Sequence, residues 1–297
     1  MTGTGQRVPT RHKLAPGDRH DPSGPEHGDE EGASRSTAAQ LWERLARTTA
    51  LWYAVAMLLV LVAWEAAIVI GRTPDYMLPT PSQVAGAFHD DHQPLLHHTW
   101  YTMREIVIGF AVAAVGGVLL AIPVAFSKAV ERVAYPLIVM FQAVPKVALG
   151  PLFIVWFGFG LKTNVVISVS VAVFPVIVNT ALGLSGIDPD LVRLGRSMGG
   201  SAGRLFWLVR LPTALPSIFA GLKVAVTFAV IGSVVGEFIV GGEGLGYLTL
   251  SASGNDNVPL LFACVIALAI VGMLFYAAID VAERLVLRHH PQSANRG

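Results

Sequence analysis

Within or beside the apolar stretches of this chain stand a few groups that can carry charge or hydrogen-bond: Glu65, Gln142, Lys146, Ser168, Ser170, Asn179, Lys223 and Glu237. Ionisable side chains are costly in hydrocarbon, so they normally face a bundle interior or a water-filled cavity. Gln142, Asn179 and Ser168 or Ser170 either line a path for a polar solute or tie neighbouring helices together. Lys146 and Lys223 either attract an anion, such as a sulfonate, or snorkel and pair with carboxylates. Outside the apolar stretches, residues 89–98 (HDDHQPLLHH) hold four His and two Asp, a composition that could bind a divalent metal. Pro94 interrupts the helical face shared by His89 and His92, so the segment reads as a solvated loop. Residues 242–247 (GEGLGY) space their glycines as G-x-G-x-G, not as the dinucleotide-binding G-x-G-x-x-G, and read as a turn. The single cysteine, Cys264, has apolar neighbours and reads as a packed thiol. It leaves no intramolecular disulfide and no cysteine-rich zinc site.

The elements that must position these groups follow from composition. Hydrophobic residues make up 53% of the 297 and charged ones 14%, with a net charge of +1. The mean hydropathy of +0.58 argues against a soluble globule. So small a net charge offers no basic face, which excludes nucleic acid as the main partner. Residues 1–40, rich in Gly, Pro, Ser, Thr and mixed charges, read as a disordered tail on the cytoplasmic side. Six apolar runs of about bilayer length then follow, at 51–70, 106–126, 133–157, 164–185, 213–236 and 258–279. Backbone in lipid must satisfy its own hydrogen bonds, so these runs are helices. The fold class expected is an all-α integral membrane protein with six transmembrane helices, residues 41–297 forming the membrane domain. Gly116, Gly117 and Gly221 suit close helix contacts. Pro136, Pro145, Pro151 and Pro175 mark points where helices three and four bend.

Orientation follows from the basic residues. With the N-terminus cytoplasmic, the inside segments are 1–50, 127–132, 186–212 and 280–297, and they hold 16 of the 21 Lys and Arg. The N-in, C-in arrangement is therefore expected.

The inside segment 186–212 is too patterned for a connector. Asp188 can cap a helix with Pro189 at its first position. Leu191, Leu194 and Met198 then share a face, and Gly199 and Gly200 stop the helix. A second short helix, 202–211, shows Leu205, Leu208 and Val209 on one side, and Pro212 opens the next membrane helix. The element reads as amphipathic and projecting into the cytoplasm.

From Gly199 to Leu211–Pro212 this segment resembles the loop shared by permease subunits of binding-protein-dependent ABC importers. Aligned there, Arg193 stands where the family has Glu, Leu194 and Gly195 where it has two Ala, and Val209 at its aliphatic position. Residues 78–84 (LPTPSQV), 144–160 (VPKVALGPLFIVWFGFG) and 241–247 (GGEGLGY) resemble the nitrate, sulfonate and taurine branch. The resemblance implies a type I importer permease in the cytoplasmic membrane, paired with a second permease subunit, an identical copy. It implies a cytoplasmic ABC ATPase dimer seated against 186–212 and an external solute-binding protein. No cofactor is expected in this chain. It holds no G-x-x-x-x-G-K-[ST] phosphate loop, so ATP and Mg would be bound by the ATPase. An ion-gradient-driven secondary transporter is the alternative, but it would normally show paired halves with acidic ligands at midplane. An intramembrane enzyme would need His, Asp or Glu clustered at one depth.

Overall fold

The computed structural model describes residues 51–53, 55–72, 74 and 77–288. The expected tail, residues 1–40, lies outside them. Among the described residues there are helices and no strands. Leu51–Val60, taken by itself, is an apolar helical stretch opening α1 (Leu51–Gly71). The remainder, from Leu61 on, is one unit.

In that unit Thr80 starts α2 (Pro81–Asp90) with a capping box: its Oγ1 accepts from the Gln83 N–H, and the Gln83 side chain accepts from the Thr80 N–H. The Glu65 carboxylate, the one charge in the first apolar run, accepts from the Ser82 hydroxyl at 2.7 Å and the Ser82 N–H at 3.2 Å. It thereby caps α2 and pins it to α1. The next helix, α3 (His92–Phe126), is 35 residues long and corrects the reading of 89–98 as a loop. Pro94 falls in its first turn, where a missing N–H costs nothing, so the polar segment and the apolar run 106–126 form one helix.

The run 133–157 is not one straight span. Ser127 caps α4 (Lys128–Ala143), which ends before Pro145; a short 3-10 turn, Lys146–Leu149, leads into α5 (Gly150–Phe157). The two halves are bent by 78°. Of the four prolines expected to bend helices, Pro145 stands at this break. Pro136 and Pro175 stay inside continuous helices, and Pro151 opens α5. Helix α6 (Leu161–Ser185) follows, then α7 (Pro189–Ser197) and α8 (Ala202–Leu205). A π-helical turn, Phe206–Arg210, joins α8 to α9 (Leu211–Val240). The second short helix expected over 202–211 is thus four α-helical residues and a π turn, continuous with the membrane helix that Pro212 was expected to open. Helices α10 (Leu245–Gly254) and α11 (Val258–Leu287) complete the chain. Among the described residues five helices are long and apolar enough to cross a membrane, or six if the bent α4–α5 pair is one span.

Helix α6 is the centre, packed along α9 on one side and α3 on the other. Ile106, Ala113, Ala172, Val176, Ala225 and Ala229 form the buried seam, joined by Leu245 and Leu248 from α10 and Ala263 and Cys264 from α11. Close approach is bought with glycine at Gly232, where an added Cβ would lie 2.6 Å from the Ser168 Cα. Gly117 meets Val176 and Gly221 meets Asn179 in the same way, whereas among the described residues nothing lies within 4 Å of a Cβ on Gly116. Large apolar side chains on the outer faces, such as Val115, Leu119, Val155 and Leu274, are exposed and suit lipid.

Candidate functional site

The projecting element forms from local signals. The Asp188 side chain accepts from the Asp190 N–H at 2.9 Å, and Pro189 fixes the first turn of α7. Past Met198, Gly199 takes φ +80°, and the Gly200 N–H donates to the Gly195 carbonyl at 3.0 Å, closing the end of the helix. Leu191, Leu194 and Met198 are 44%, 59% and 80% exposed, outside every candidate span. Arg193 pairs with Asp190 at 3.3 Å on the surface of the same helix. Gly195 lies against the Leu205 side chain, which is buried. From there the π turn runs into the bundle: the Arg210 guanidinium lies 4.6 Å from the centre of the Phe126 ring, which in turn meets Phe206. Leu211 packs on Leu184, Ala214 and Ile218, and Val209 accepts the Thr213 hydroxyl through its carbonyl. The projecting element is thus tied to α3, α6 and α9 through the π turn and Leu211.

Beside the break between α4 and α5 lies a cavity of about 560 Å³ lined by Gln142, Lys146, Phe174, Pro175, Asn179 and Phe228. Three residues singled out in the sequence, Gln142, Lys146 and Asn179, come together here from two helices and a turn. The Lys146 Nζ donates to the carbonyls of Phe141 at 3.1 Å and Gln142 at 3.4 Å, so its charge sits at the negative end of α4. It also lies 5.5 Å from the centre of the Phe174 ring, which stacks on Phe141. The Asn179 amide donates to the Pro175 carbonyl at 2.9 Å.

Ser168 and Lys223 are placed elsewhere. The Ser168 hydroxyl donates to the Ala229 carbonyl at 3.0 Å within the buried α6–α9 seam, and Ser170 bonds back to Ile167. The Lys223 Nζ contacts Asp280 and Glu283 of α11, each at 2.5 Å, and Asp280 also holds Arg284 at 2.7 Å. This lysine is neutralised by carboxylates.

At the end of α9 away from α7 and α8, the turn 241–244 uses positive φ at Gly241, Gly242 and Gly244. The first N–H groups of α10 are each taken by a side chain. Gly244 N–H donates to His98 Nδ1 at 3.0 Å, Leu245 N–H to Thr102 Oγ1 at 2.8 Å, and Gly246 N–H to Glu237 Oε2 at 2.6 Å. His97 lies 3.7 Å from Glu243. Among the described residues, no group of three or more His, Cys, Asp or Glu is arranged to hold a metal. Glu105, fully buried beside this turn, escaped the sequence reading because it stands one position before the apolar run at 106. Its helical spacing from Thr102 and Gly109, at i−3 and i+4, was the available signal.

The family described as "Binding-protein-dependent transport system inner membrane component" matches residues 113–289. The chain belongs to this family. It is a permease of the ABC transporter class and a multi-pass protein of the inner membrane. The formylaminopyrimidine transport permease protein ThiX of Halalkalibacterium halodurans is 37% identical over 77% of this chain and 92% of its own length. A probable ABC transporter permease of Haemophilus influenzae is 35% identical over 74% and 90%. More distant relatives include permeases named for aliphatic sulfonates, taurine and nitrate, the branch indicated by the sequence. A solved structure of the MetNI methionine ABC transporter in an inward-facing conformation shares the fold. It is 20% identical, with a TM-score of 0.57, covering 64% of this chain and 94% of that one.

Proposed function

We propose that this permease is the membrane-spanning subunit of an ATP-driven importer, with both termini cytoplasmic and α7–α8 seated in a groove of an ATPase that binds ATP and Mg. The observation that carries this reading is the face of Leu191, Leu194 and Met198, apolar and exposed on a helix outside every candidate span. Nucleotide-driven closure of two ATPases would move α7–α8. The π turn, the Arg210–Phe126 contact and α9 would pass that motion to the bundle, rocking it against a second, identical permease. An external binding protein would deliver solute at the α10 end. Gln142, Lys146 and Asn179 would then line the path. Ser168 and Lys223, tied up in packing and ion pairs, drop out of it.

The solute is small, polar and rich in hydrogen-bond acceptors. Aliphatic sulfonates, nitrate and formylaminopyrimidine, for which relatives are named, share that property, and the cavity faces them with an ammonium and two amides. The aromatic rings of Phe174 and Phe228 would accept a planar solute as readily.

The test is co-purification with the cognate ATPase. Leu194→Asp and Gly199→Val are expected to lose the ATPase while still inserting in the membrane; undiminished retention in both refutes the coupling role.

A further inference from the structure

Glu105 on α3 and Glu237 on α9 are both 0% exposed, and neither forms an ion pair among the described residues. They are not supplied alike. Glu237 accepts the Thr102 hydroxyl at 2.6 Å on one oxygen and the Gly246 N–H at 2.6 Å on the other. It therefore sits at the N-terminus of α10, where backbone N–H groups and the helix dipole stabilise a negative charge. Glu105 has no such support. Its Oε1 accepts from Asn164 Nδ2 at 2.6 Å, but no donor reaches Oε2. Asn164, 1% exposed, has an unpartnered Oδ1 as well. Turning that amide over resolves nothing, because it would set Oδ1 against Glu105 Oε1, acceptor against acceptor. Thr102, one turn before Glu105 on α3, is the residue whose hydroxyl donates to Glu237, and the backbone at Gly236 lies against Asn164. The three side chains thus stand together where α3, α6 and α9 meet, two of them with an unpartnered buried oxygen.

A carboxylate charge held in low dielectric by a single neutral donor, with its other oxygen bare and no counter-ion, is strongly unfavourable. We propose that the Glu105–Asn164–Glu237 cluster binds one monovalent cation, an alkali metal ion or a proton, at the junction of α3, α6 and α9. One positive charge suffices, because α10 already stabilises the second carboxylate. A divalent ion is disfavoured by charge: with Glu237 already supported by α10, its second positive charge would stay uncompensated in low dielectric. The site is distinct from the α4–α5 cavity and does not depend on that cavity's role in transport.

The permease, purified with its ATPase in lipid nanodiscs, is heated while tryptophan fluorescence is followed. NaCl and KCl are compared with choline chloride at equal ionic strength, at mildly acidic and alkaline pH. An alkali ion raises the unfolding temperature of the wild type at alkaline pH, logarithmically once its concentration exceeds the dissociation constant. A proton gives no response to salt, but the wild type loses stability as pH rises. In either case the response disappears in Glu105→Gln, which removes the charge and brings its own donor. His98, Tyr101 and Arg104 on α3 and Glu243 before α10 surround the cluster in both proteins, so the difference reports Glu105. A wild type that responds to neither salt nor pH beyond Glu105→Gln overturns the proposal. If Glu105→Gln is not recovered folded, Glu105→Met, which also removes the charge, takes its place; a response equal to the wild type's again overturns it.

Discussion

Substituting Gly232 by alanine tests how closely α9 and α6 are fitted. The new Cβ would stand 2.6 Å from the Ser168 Cα and 3.0 Å from Val171 Cγ2. Carbon atoms rest at about 3.5–4.0 Å, so the helices must part by roughly 1 Å. The nearer atom is backbone, and no rotamer change relieves it. Overpacking costs about 1–3 kcal/mol, and a rigid contact belongs at the upper end of that range. Separation also strains the hydrogen bond from Ser168 to the Ala229 carbonyl, one turn away. Alanine returns about 1 kcal/mol through helix propensity, which leaves a net loss of about 2 kcal/mol. Gly116→Ala is the control: its Cβ meets nothing within 4 Å, so only the propensity gain of about 1 kcal/mol remains. Unfolding of both variants is compared in one detergent by tryptophan fluorescence against denaturant. A Gly232→Ala variant as stable as the wild type, or two variants shifted alike, refutes this account of the seam.

Gln142→Ala and Asn179→Ala are expected to lower solute uptake into vesicles and solute-stimulated ATPase activity while leaving ATPase binding intact; unchanged uptake in both removes them from the path. Lys223→Asp is expected to insert poorly, since it would face Asp280 and Glu283, and Asp280→Lys in the same chain to restore much of the folded yield. A double variant no better than the single one, measured by size-exclusion profile, argues against that pairing.

The membrane runs were legible because absence of charge over bilayer length is a property of the sequence itself. Where helices begin and break was less so. His92–Glu105 is polar, and only the tolerance of a first helical turn for Pro94 lets it join the apolar run in one helix. Four prolines looked alike as breakers, yet the chain breaks at Pro145. There Lys146 reaches back to the carbonyls of Phe141 and Gln142, a cap that spacing alone does not announce. The projecting element was legible in detail, since caps and glycine stops act within a few residues. The polar side chains were not, because their surroundings are set by distant helices. Lys223 meets its partners 57 and 60 positions on, and Ser168 is consumed by α9 packing. Glu105 acquires its meaning from Asn164, 59 positions away.

The π turn at Phe206–Arg210 has a geometric consequence. An α-helix advances about 100° per residue, and a π turn absorbs one residue more than the α-helical turn it replaces. The whole of α7–α8 is therefore phased against α9 by a residue count, like two gears keyed to one shaft. Removing one residue from these five would swing the face of Leu191, Leu194 and Met198 through roughly a quarter of a revolution while leaving α9 in register with α6. The direction in which α7–α8 presents that face, to an ATPase in the function proposed above, is thus adjustable by insertion or deletion at one place, without any change to the membrane core.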